Sequence, residues 1–361
     1  AFSSAKNSGK STVIHCCTQK GKVYSFAEKD REKWHWAKPF SIESGEFLSS
    51  VPKENYGALV AEHLLAKMKE DPRVVVVAAS TPLCIGFHEE NRKKAGKQYI
   101  DVGIAEQNAI TMTAAMAKAG GKPVFATNST FYQRAYDQIA QEMCLGKCPA
   151  TLLLSHASVW GHTNDTHVGL YDMALLSSIP NLTYLAPTNL EEYLAMLDWS
   201  IEQKESTVAI RIPWTGVYHA EKAVRKDYSD VKYMVAEEGE EVAILALGSF
   251  YQLGAEVKEK LKAAGIHASL INPLYINKKD ETLLESLKKE HRLVVTLEDG
   301  ILQGGFGSMI SQYYSLDKMK VLNKGFFKAI PSSYVPEEFM RENRLLPEQI
   351  TEDIIELIKE K

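Results

Sequence analysis

The sequence lacks the features that mark several other classes of protein. No apolar run approaches the roughly 20 residues of a membrane-spanning helix, and residues 1–11 lack the apolar core of a secretion signal. With a net charge of −4 and no basic stripe interleaved with aromatic residues, the chain gives no case for nucleic-acid binding. Cysteine is scarce, and its odd total of five indicates free thiols in a reducing compartment. We therefore expect a cytoplasmic protein with neither a membrane nor a nucleic acid as partner.

What the sequence does contain is the length and the pattern of two α/β domains. Its 361 residues exceed a single typical core, and 45% apolar and 24% charged residues are ordinary for a globular protein. Strands alternate with helices from residue 51 to residue 217, and the consecutive valines of segment 73–79 are typical of a buried parallel strand. The pattern predicts a doubly wound parallel sheet over 51–217.

A second, smaller α/β domain is predicted after this sheet. Residues 218–239 are charged, lack periodicity and are interpreted as a linker, and residues 240–361 again alternate strands with helices. Residues 1–50 have no core of their own. The predicted strands are 13–18, 73–79, 99–102, 124–126, 151–155, 181–185, 208–212, 241–247, 267–271 and 292–297. The predicted helices are 51–72, one from the turn at Gly103 to residue 119, 130–145, 190–203, 251–264, 278–291, one opening at 304–307, and 347–361.

The stretch 99–108 carries the first candidate for chemistry. A short strand breaks at Gly103 and leads into a helix whose first turn contains Glu106. The exposed N–H groups of a helix start stabilise an ionised carboxylate, so this side chain is suited to hold a charge at a fixed place. On spacing alone, a carboxylate that only stabilises the helix is the alternative.

Three histidines, His156, His162 and His167, fall in one predicted loop. Histidine is a common zinc ligand, but no cysteine or carboxylate completes a familiar ligand spacing around them. The sequence therefore predicts no metal site in this chain.

Longer stretches of the sequence resemble a known family. Residues 101–107, Asp-Val-Gly-Ile-Ala-Glu-Gln, resemble the signature of thiamine-diphosphate enzymes of the transketolase group. Further blocks resemble the 1-deoxy-D-xylulose-5-phosphate synthases of that group, and these are 20–24, 32–35, 129–138, 166–172 and 298–307. The blocks occur in the family's order and span nearly the whole chain, so the chain is identified as a member of this group.

The resemblance implies where the cofactor lies. In the family, the glutamate that matches Glu106 hydrogen-bonds the aminopyrimidine ring of thiamine diphosphate and favours the imino tautomer, which deprotonates the thiazolium carbon. Phe131 matches an aromatic residue that lies against the pyrimidine, although an ordinary core residue is the open alternative. Ile104, inside the signature, is also expected at the cofactor.

The resemblance also implies a substrate site. His35 and His167 match histidines near the substrate carbonyl, where they suit proton transfer or oxyanion stabilisation and are expected to be catalytic with Glu106. Arg134, His156 and Asn128 are expected to bind substrate together with His167.

Several substrate positions depart from the family pattern. The synthases usually carry arginine at the positions of His156 and Trp214, and these arginines recognise the acceptor's phosphate and carboxylate. An aspartate is usual at Thr163 and a tyrosine at Asn128. The resemblance thus implies that the cofactor residues are kept while the acceptor site is changed.

The resemblance implies that 51–217 is the family's pyrimidine-binding domain and 240–361 its C-terminal domain. The family binds Mg²⁺ and the cofactor's diphosphate through a Gly-Asp-Gly…Asn motif in an N-terminal domain, of which residues 1–50 match only the tail. The resemblance implies either a homodimer or a complex with a separate diphosphate-binding chain. The expected reaction is carboligation of pyruvate with an aldehyde, nominally glyceraldehyde-3-phosphate, to deoxyxylulose phosphate and CO₂, as in isoprenoid biosynthesis. Transketolase-like two-carbon transfer is one alternative, and a non-catalytic subunit of a split enzyme is another.

Overall fold

The computed structural model describes residues 1–35, 37, 39–48, 54–161, 163–212 and 216–359. The chain forms two compact units, Ala1–Lys53 and Glu54–Lys361. Within the described ranges, no helix combines the length and the apolar character needed to cross a bilayer. The predicted boundary at residues 50 and 51 lies outside the described residues, as do His162 and Trp214.

The first unit contains two short helices, α1 (Phe2–Asn7) and α2 (Ser25–Lys29). The predicted strand at 13–18 is wrong, because this segment pairs with no strand in the part of the chain that the structure describes and Val13 is 95% exposed. Apolar character alone does not form a strand when its backbone groups have no partner. Aromatic rings with centroids 4.6 to 5.6 Å apart hold the rest together, namely Tyr24, Phe26, Trp34, Phe40 and Phe47.

The second unit begins with a six-stranded sheet in which every strand is parallel to its neighbours, in the order β2-β1-β3-β4-β6-β5. Its strands are β1 (Val74–Ala78), β2 (Tyr99–Asp101), β3 (Lys122–Asn128), β4 (Thr151–Ser155), β5 (Leu182–Leu185) and β6 (Thr207–Arg211). The helices are α3 (Tyr56–Glu70), α4 (Glu89–Ala95), α5 (Glu106–Lys118), α6 (Tyr136–Gln138), α7 (Asp172–Ser177) and α8 (Leu190–Glu202). The predicted doubly wound parallel sheet is confirmed.

The start of α8 is fixed by a capping side chain. Asn189 caps α8 by accepting a hydrogen bond from the Glu192 N–H at 2.9 Å. The Glu192 carboxylate accepts hydrogen bonds from the Thr188 N–H at 2.8 Å and from Asn272 Nδ2 at 3.0 Å. Glu192 therefore ties the first turn of α8 to Asn272, which lies on a strand of the second sheet.

One predicted helix, 130–145, has a different form. Ser129–Ala135 is a 3₁₀ helix, α6 follows it, and Ile139–Leu145 is a π-helix. The buried Tyr132 hydroxyl lies 3.1 Å from the carbonyl oxygens of both Phe125 and Leu153. These two contacts hold the 3₁₀ segment against β3 and β4. Tertiary contacts therefore override the regular α-helix that the sequence pattern predicts there.

A second, five-stranded sheet follows in the order β11-β10-β8-β9-β7. Its strands are β7 (Met234–Glu237), β8 (Glu241–Ala246), β9 (Ser269–Asn272), β10 (His291–Ile301) and β11 (Lys320–Phe326). Its helices are α9 (Tyr251–Ala263), α10 (Glu281–Leu287), α11 (Phe306–Tyr313), α12 (Pro336–Glu342) and α13 (Pro347–Lys359). Strand β7, which was not predicted, lies within the predicted linker and pairs antiparallel with β9, and the linker itself stays a prediction. All four β7 residues are exposed, so this edge strand is formed by pairing with β9 and not by burial of an apolar face.

Two apolar cores support these sheets. One contains the buried residues of the first sheet, and it also includes Leu274 and Tyr275 from the segment after β9. The other contains the inner residues of β8 and β10 together with Val159, Val168 and Leu170, which lie between β4 and α7. The packing thus crosses between the two sheets, and the predicted domain limits at 217 and 240 stay predictions.

A close approach at Gly86 yields a prediction on stability. Gly86 has φ +73°, and an added Cβ would lie 2.3 Å from the Gly57 carbonyl oxygen in the first turn of α3. We expect Gly86→Ala to lower the free energy of unfolding by about 2–4 kcal/mol, since backbone strain and a steric clash add together. Gly120→Ala is the control, because Gly120 has φ +87° with no atom within 4 Å of its Cβ position. Chemical denaturation measures both, and equal losses would contradict the clash.

Candidate functional site

The turn between β2 and α5 places Glu106. Asp101, the last residue of β2, accepts hydrogen bonds at Oδ1 from the Ser80 N–H at 3.0 Å and from the Gly103 N–H at 2.9 Å. Gly103 has φ +75°, a left-handed conformation that glycine adopts at little cost. The chain then enters α5 with Glu106 as its first residue, and Glu106 is only 2% exposed.

The Glu106 carboxylate combines an ion pair with an unused acceptor. Arg134 Nη1 lies 2.9 Å from Glu106 Oε2, while the Arg134 side chain is 44% exposed. The geometry of this contact is not that of a hydrogen bond, and buried Oε2 receives no hydrogen bond from any residue in the described ranges. The Arg134 charge compensates part of the cost of burying the carboxylate, and Oε2 keeps acceptor capacity for which a ligand N–H is suited. Ile104, two residues earlier, is 74% exposed.

The structure brings Phe131 and His167 together. Their ring centroids are 5.2 Å apart, with an interplanar angle of 72°. His167 Nδ1 lies 2.7 Å from Thr166 Oγ1 and 3.2 Å from Asn164 Oδ1. Phe131 is partly buried, and whether it contacts a cofactor stays a prediction.

The ends of β3 and β4 bring Asn128 and His156 together. Asn128 and Ser155 are partners in the parallel ladder, and Ser155 Oγ lies 3.2 Å from Asn128 Oδ1 and 3.1 Å from His156 Nδ1. Ligands of parallel α/β sheets bind beyond the carboxyl ends of the strands. Asn128, His156 and the β2–α5 turn all lie at such ends, which supports a site at this edge.

The structure does not relate two other predicted positions to this group. His35 belongs to the first unit, where it is exposed and its Nδ1 lies 3.2 Å from Lys20 Nζ. Its place in the site stays a prediction. Trp214, one of the two arginine replacements, lies outside the described residues.

A buried charge cluster next to the site was missed from the sequence. Arg211, the last residue of β6, donates from Nε to Asp172 Oδ2 at 2.7 Å and from Nη1 to Asp299 Oδ1 at 2.5 Å. Its Nη2 donates to the Gly169 carbonyl oxygen at 3.0 Å. Burial alone would lower the pKa of Arg211, but attraction to the two carboxylates raises it above its usual value. The available signal was an arginine at the end of an otherwise apolar buried strand.

Glu298, beside this cluster, is also buried and was not predicted. Its Oε2 accepts a hydrogen bond from the Phe306 N–H at 2.7 Å and its Oε1 from the Gly307 N–H at 2.8 Å, so it caps the start of α11. Burial raises the pKa of Glu298 to about 7, although the two N–H donors oppose this shift. The carboxyl therefore titrates near neutral pH.

This raised pKa predicts a pH dependence of stability. Between pH 4.5, near the ordinary pKa of glutamate, and about pH 7, the folded state keeps a proton that the unfolded chain releases. The free energy of unfolding should therefore fall across this window, by at most about 3 kcal/mol from this group. Glu298→Gln should remove that part of the slope. Parallel stability–pH curves for the two proteins, from urea unfolding, would contradict the assignment.

Glu106 and Phe131 have the chemistry that the cofactor implied by the sequence would need. The buried Glu106 Oε2 offers an acceptor without a donor, and Phe131 offers a partly buried aromatic face. Over the described ranges, no group of three or more His, Cys, Asp or Glu side chains is arranged to hold a metal ion.

Comparisons with known proteins bear on the whole of the second unit. The family model described as "Transketolase, pyrimidine binding domain" matches residues 53–217, and "Transketolase, C-terminal domain" matches residues 232–350. The chain is 36% identical over 332 residues to the 1-deoxy-D-xylulose-5-phosphate synthase of Clostridium acetobutylicum, covering 90% of this chain and 52% of that protein. It is 35% identical over 360 residues to the synthase of Clostridium perfringens, covering 99% and 58%. The chain thus spans just over half the length of these relatives.

Solved structures share the fold at lower identity. A "split gene transketolase, inactive beta4 tetramer" superposes with a TM-score of 0.72 at 22% identity, covering 84% of this chain and 97% of that chain. A mutant transketolase of Pichia stipitis in complex with xylulose-5-phosphate gives a TM-score of 0.69 at 17% identity, covering 84% and 46%. These likenesses agree with the two α/β sheets described above.

Proposed function

The chain belongs to the transketolase family, and from this premise we propose that it supplies the pyrimidine-binding part of a thiamine-diphosphate active site. The proposed reaction is a carboligation or ketol transfer, of the kind that gives the relatives in Clostridium their name. The observation that carries this proposal is the buried Glu106 Oε2, which receives no hydrogen bond from the described residues. Thiamine diphosphate, when bound, supplies the carbanion that attacks a substrate carbonyl.

Glu106 is proposed to accept a hydrogen bond from the cofactor's pyrimidine ring at a fixed place. Its position at the N-terminus of α5 keeps the carboxylate next to the partial positive charge of the helix start, and Arg134 adds a second positive charge at 2.9 Å. An ionised oxygen that lacks a hydrogen bond accepts one strongly from a ring N–H. Glu106 would thus orient the pyrimidine and shift its proton equilibrium.

His167 is proposed to act at the substrate carbonyl. Thr166 Oγ1 donates to Asn164 Oδ1 at 3.0 Å, so the same hydroxyl accepts from His167 Nδ1–H at 2.7 Å. This network favours the imidazole tautomer that carries its proton on Nδ1, because Asn164 Oδ1 can only accept. Such a tautomer is suited to accept a proton at Nε2, or to stabilise an oxyanion once it is protonated. Its edge contact with Phe131 fixes the ring plane.

The acceptor is proposed to differ from that of the relatives. His156 and Trp214 replace arginines of the synthase pattern, and the histidine Nδ1 lies 3.1 Å from Ser155 Oγ. Neither residue offers the bidentate, permanently charged donor pair of arginine. Asn128 and Arg134 remain the proposed substrate contacts, and an acceptor with less negative charge, such as an unphosphorylated aldehyde, fits this set best.

A second candidate function is an incomplete subunit. One structural neighbour, a split-gene transketolase described as an inactive tetramer, is matched over 97% of its own chain. We propose that this chain likewise needs a diphosphate-binding portion, with its Mg²⁺, from a further segment or a partner chain, in a dimer or larger assembly. Assays with and without that portion separate an active chain from an inactive subunit.

Replacement of Glu106 tests the cofactor assignment. In the assembled enzyme, Glu106→Gln keeps the shape but removes the charge, and turnover should fall about a hundredfold or more. Glu142→Gln is the matched control, because Glu142 also has a buried carboxylate oxygen without a hydrogen bond from the described residues. The control should keep turnover within about twofold of the parent, as expected outside the machinery. A Glu106→Gln enzyme as active as the control would overturn the proposal.

A competition assay tests the acceptor proposal. With pyruvate as donor, glyceraldehyde and glyceraldehyde-3-phosphate are offered together and the two products are quantified. Losing two charge-assisted contacts should weaken phosphorylated-acceptor recognition about tenfold to a hundredfold relative to the synthases. His156→Arg should move the preference back toward the phosphorylated aldehyde. A strong preference for that aldehyde in the parent enzyme would contradict the proposal that His156 and Trp214 change the acceptor site.

A further inference from the structure

The segment 156–171, called the site loop here, joins β4 to α7 and carries both His156 and His167. Although it follows a strand of the first sheet, its buried apolar residues do not pack in that sheet's core. Val159, Val168 and Leu170 are each at most 1% exposed and belong to the core of the second sheet. The site loop is therefore packed as a part of the C-terminal half.

Hydrogen bonds from the C-terminal half fix the loop's main chain at several points. The Tyr334 hydroxyl donates to the Val159 carbonyl oxygen at 3.1 Å, and the Tyr334 N–H donates to the Thr163 carbonyl oxygen at 3.3 Å. The Ile301 N–H donates to the Leu170 carbonyl oxygen at 3.1 Å. Both ends of the loop are thus held from the second sheet and its following segment.

A short series of contacts connects Tyr334 with His167. Thr163, which Tyr334 holds, precedes Asn164, and Asn164 Oδ1 lies 3.2 Å from His167 Nδ1. On the other side of His167, Arg211 Nη2 donates to the Gly169 carbonyl oxygen while Nη1 is bound to Asp299 of β10. The histidine therefore lies between Thr163, which Tyr334 holds directly, and Gly169, which Arg211 of β6 holds while it is itself bound to Asp299 of the C-terminal half.

The loop backbone also requires this support. His156 has φ +52° and Ser158 has φ +71°, both in the left-handed region that side chains other than glycine rarely adopt. Such conformations persist only where the surrounding contacts impose them. The Ser158 N–H donates to the Gly169 carbonyl oxygen at 2.8 Å, which is the same oxygen that Arg211 holds.

We propose that the second sheet positions the site loop, and that Tyr334 is a positioning residue that acts through the loop on His167. Tyr334 touches neither substrate nor cofactor in this account. Its hydroxyl and N–H set the places of Val159 and Thr163, and these set the orientation of Asn164 and the imidazole. The importance of His167 rests on the proposed function, whereas the coupling between the two halves does not.

The first test measures amide hydrogen exchange in the 361-residue chain, by mass spectrometry of peptides from the site loop. Tyr334→Phe removes one hydroxyl and keeps the ring. Exchange in the loop should become about fivefold to tenfold faster, as for the loss of one hydrogen bond that holds a local segment. Tyr171→Phe, which removes a hydroxyl that donates to the Ala329 carbonyl oxygen, should act in the same direction.

The matched control is Tyr314→Phe. The Tyr314 hydroxyl donates to the Leu284 carbonyl oxygen at 2.7 Å in the same half of the chain, away from the site loop. Exchange in the site loop should stay at the parent rate in this variant. Unchanged loop exchange in Tyr334→Phe, or equal acceleration of all peptides in Tyr334→Phe and Tyr314→Phe, would overturn the proposal.

A second readout uses the assembled enzyme. If Tyr334 acts through His167, Tyr334→Phe should lower kcat and shift the pH profile of kcat, while KM for the donor stays unchanged. A general loss of stability would lower the amount of active enzyme without moving the pH profile. Normal loop exchange with a lowered kcat would also contradict positioning through the loop. Failure of the Glu106 assignment would leave the exchange result unaffected, so the two proposals are tested separately.

Discussion

A buried arginine between two aspartates connects the two sheets of the second unit. Arg211 ends a strand of the first sheet, Asp299 lies on β10 of the second, and Asp172 begins α7 between them. Desolvation makes such a cluster a weak source of net stability, but removing one partner leaves an uncompensated charge in the interior and costs about 3–5 kcal/mol. The cluster therefore restricts how the sheets can be arranged. It also holds the Gly169 carbonyl oxygen, so the same constraint reaches the loop that carries His167.

The candidate site follows from where the parallel strands end. The turn after β2 buries Glu106 at a helix start, β3 and β4 end at Asn128 and Ser155, and the site loop brings His167 to the ring of Phe131. Parallel strands collect these residues from distant parts of the sequence at one edge of the sheet. The edge retains a buried acceptor without a hydrogen bond from the described residues and an exposed Ile104, which are features of a surface that binds a further group.

Much of this arrangement could be predicted from the sequence, because it depends on local pattern. Continuous apolar strands such as 73–79 and capped helix starts such as Asn189 identify the parallel sheet, and the position of Glu106 in a first helical turn is a local property. Strand β7 could not be found, since its exposed residues gain their structure only by pairing with β9. The strand predicted at 13–18 was wrong for the opposite reason, because its apolar residues find no pairing strand in the described ranges. The Arg211 cluster joins residues 39 and 88 positions apart, which no local pattern records.

The central claim is that the buried Glu106 Oε2 is the protein's contact with the pyrimidine of thiamine diphosphate. The most direct measurement is a crystal structure of the assembled enzyme with thiamine diphosphate and Mg²⁺ bound. The account predicts that Oε2 lies within about 2.6–3.2 Å of a pyrimidine ring nitrogen, with hydrogen-bond geometry, and that Phe131 lies against the ring. A pyrimidine bound elsewhere, with Oε2 still contacted only by Arg134, would contradict it.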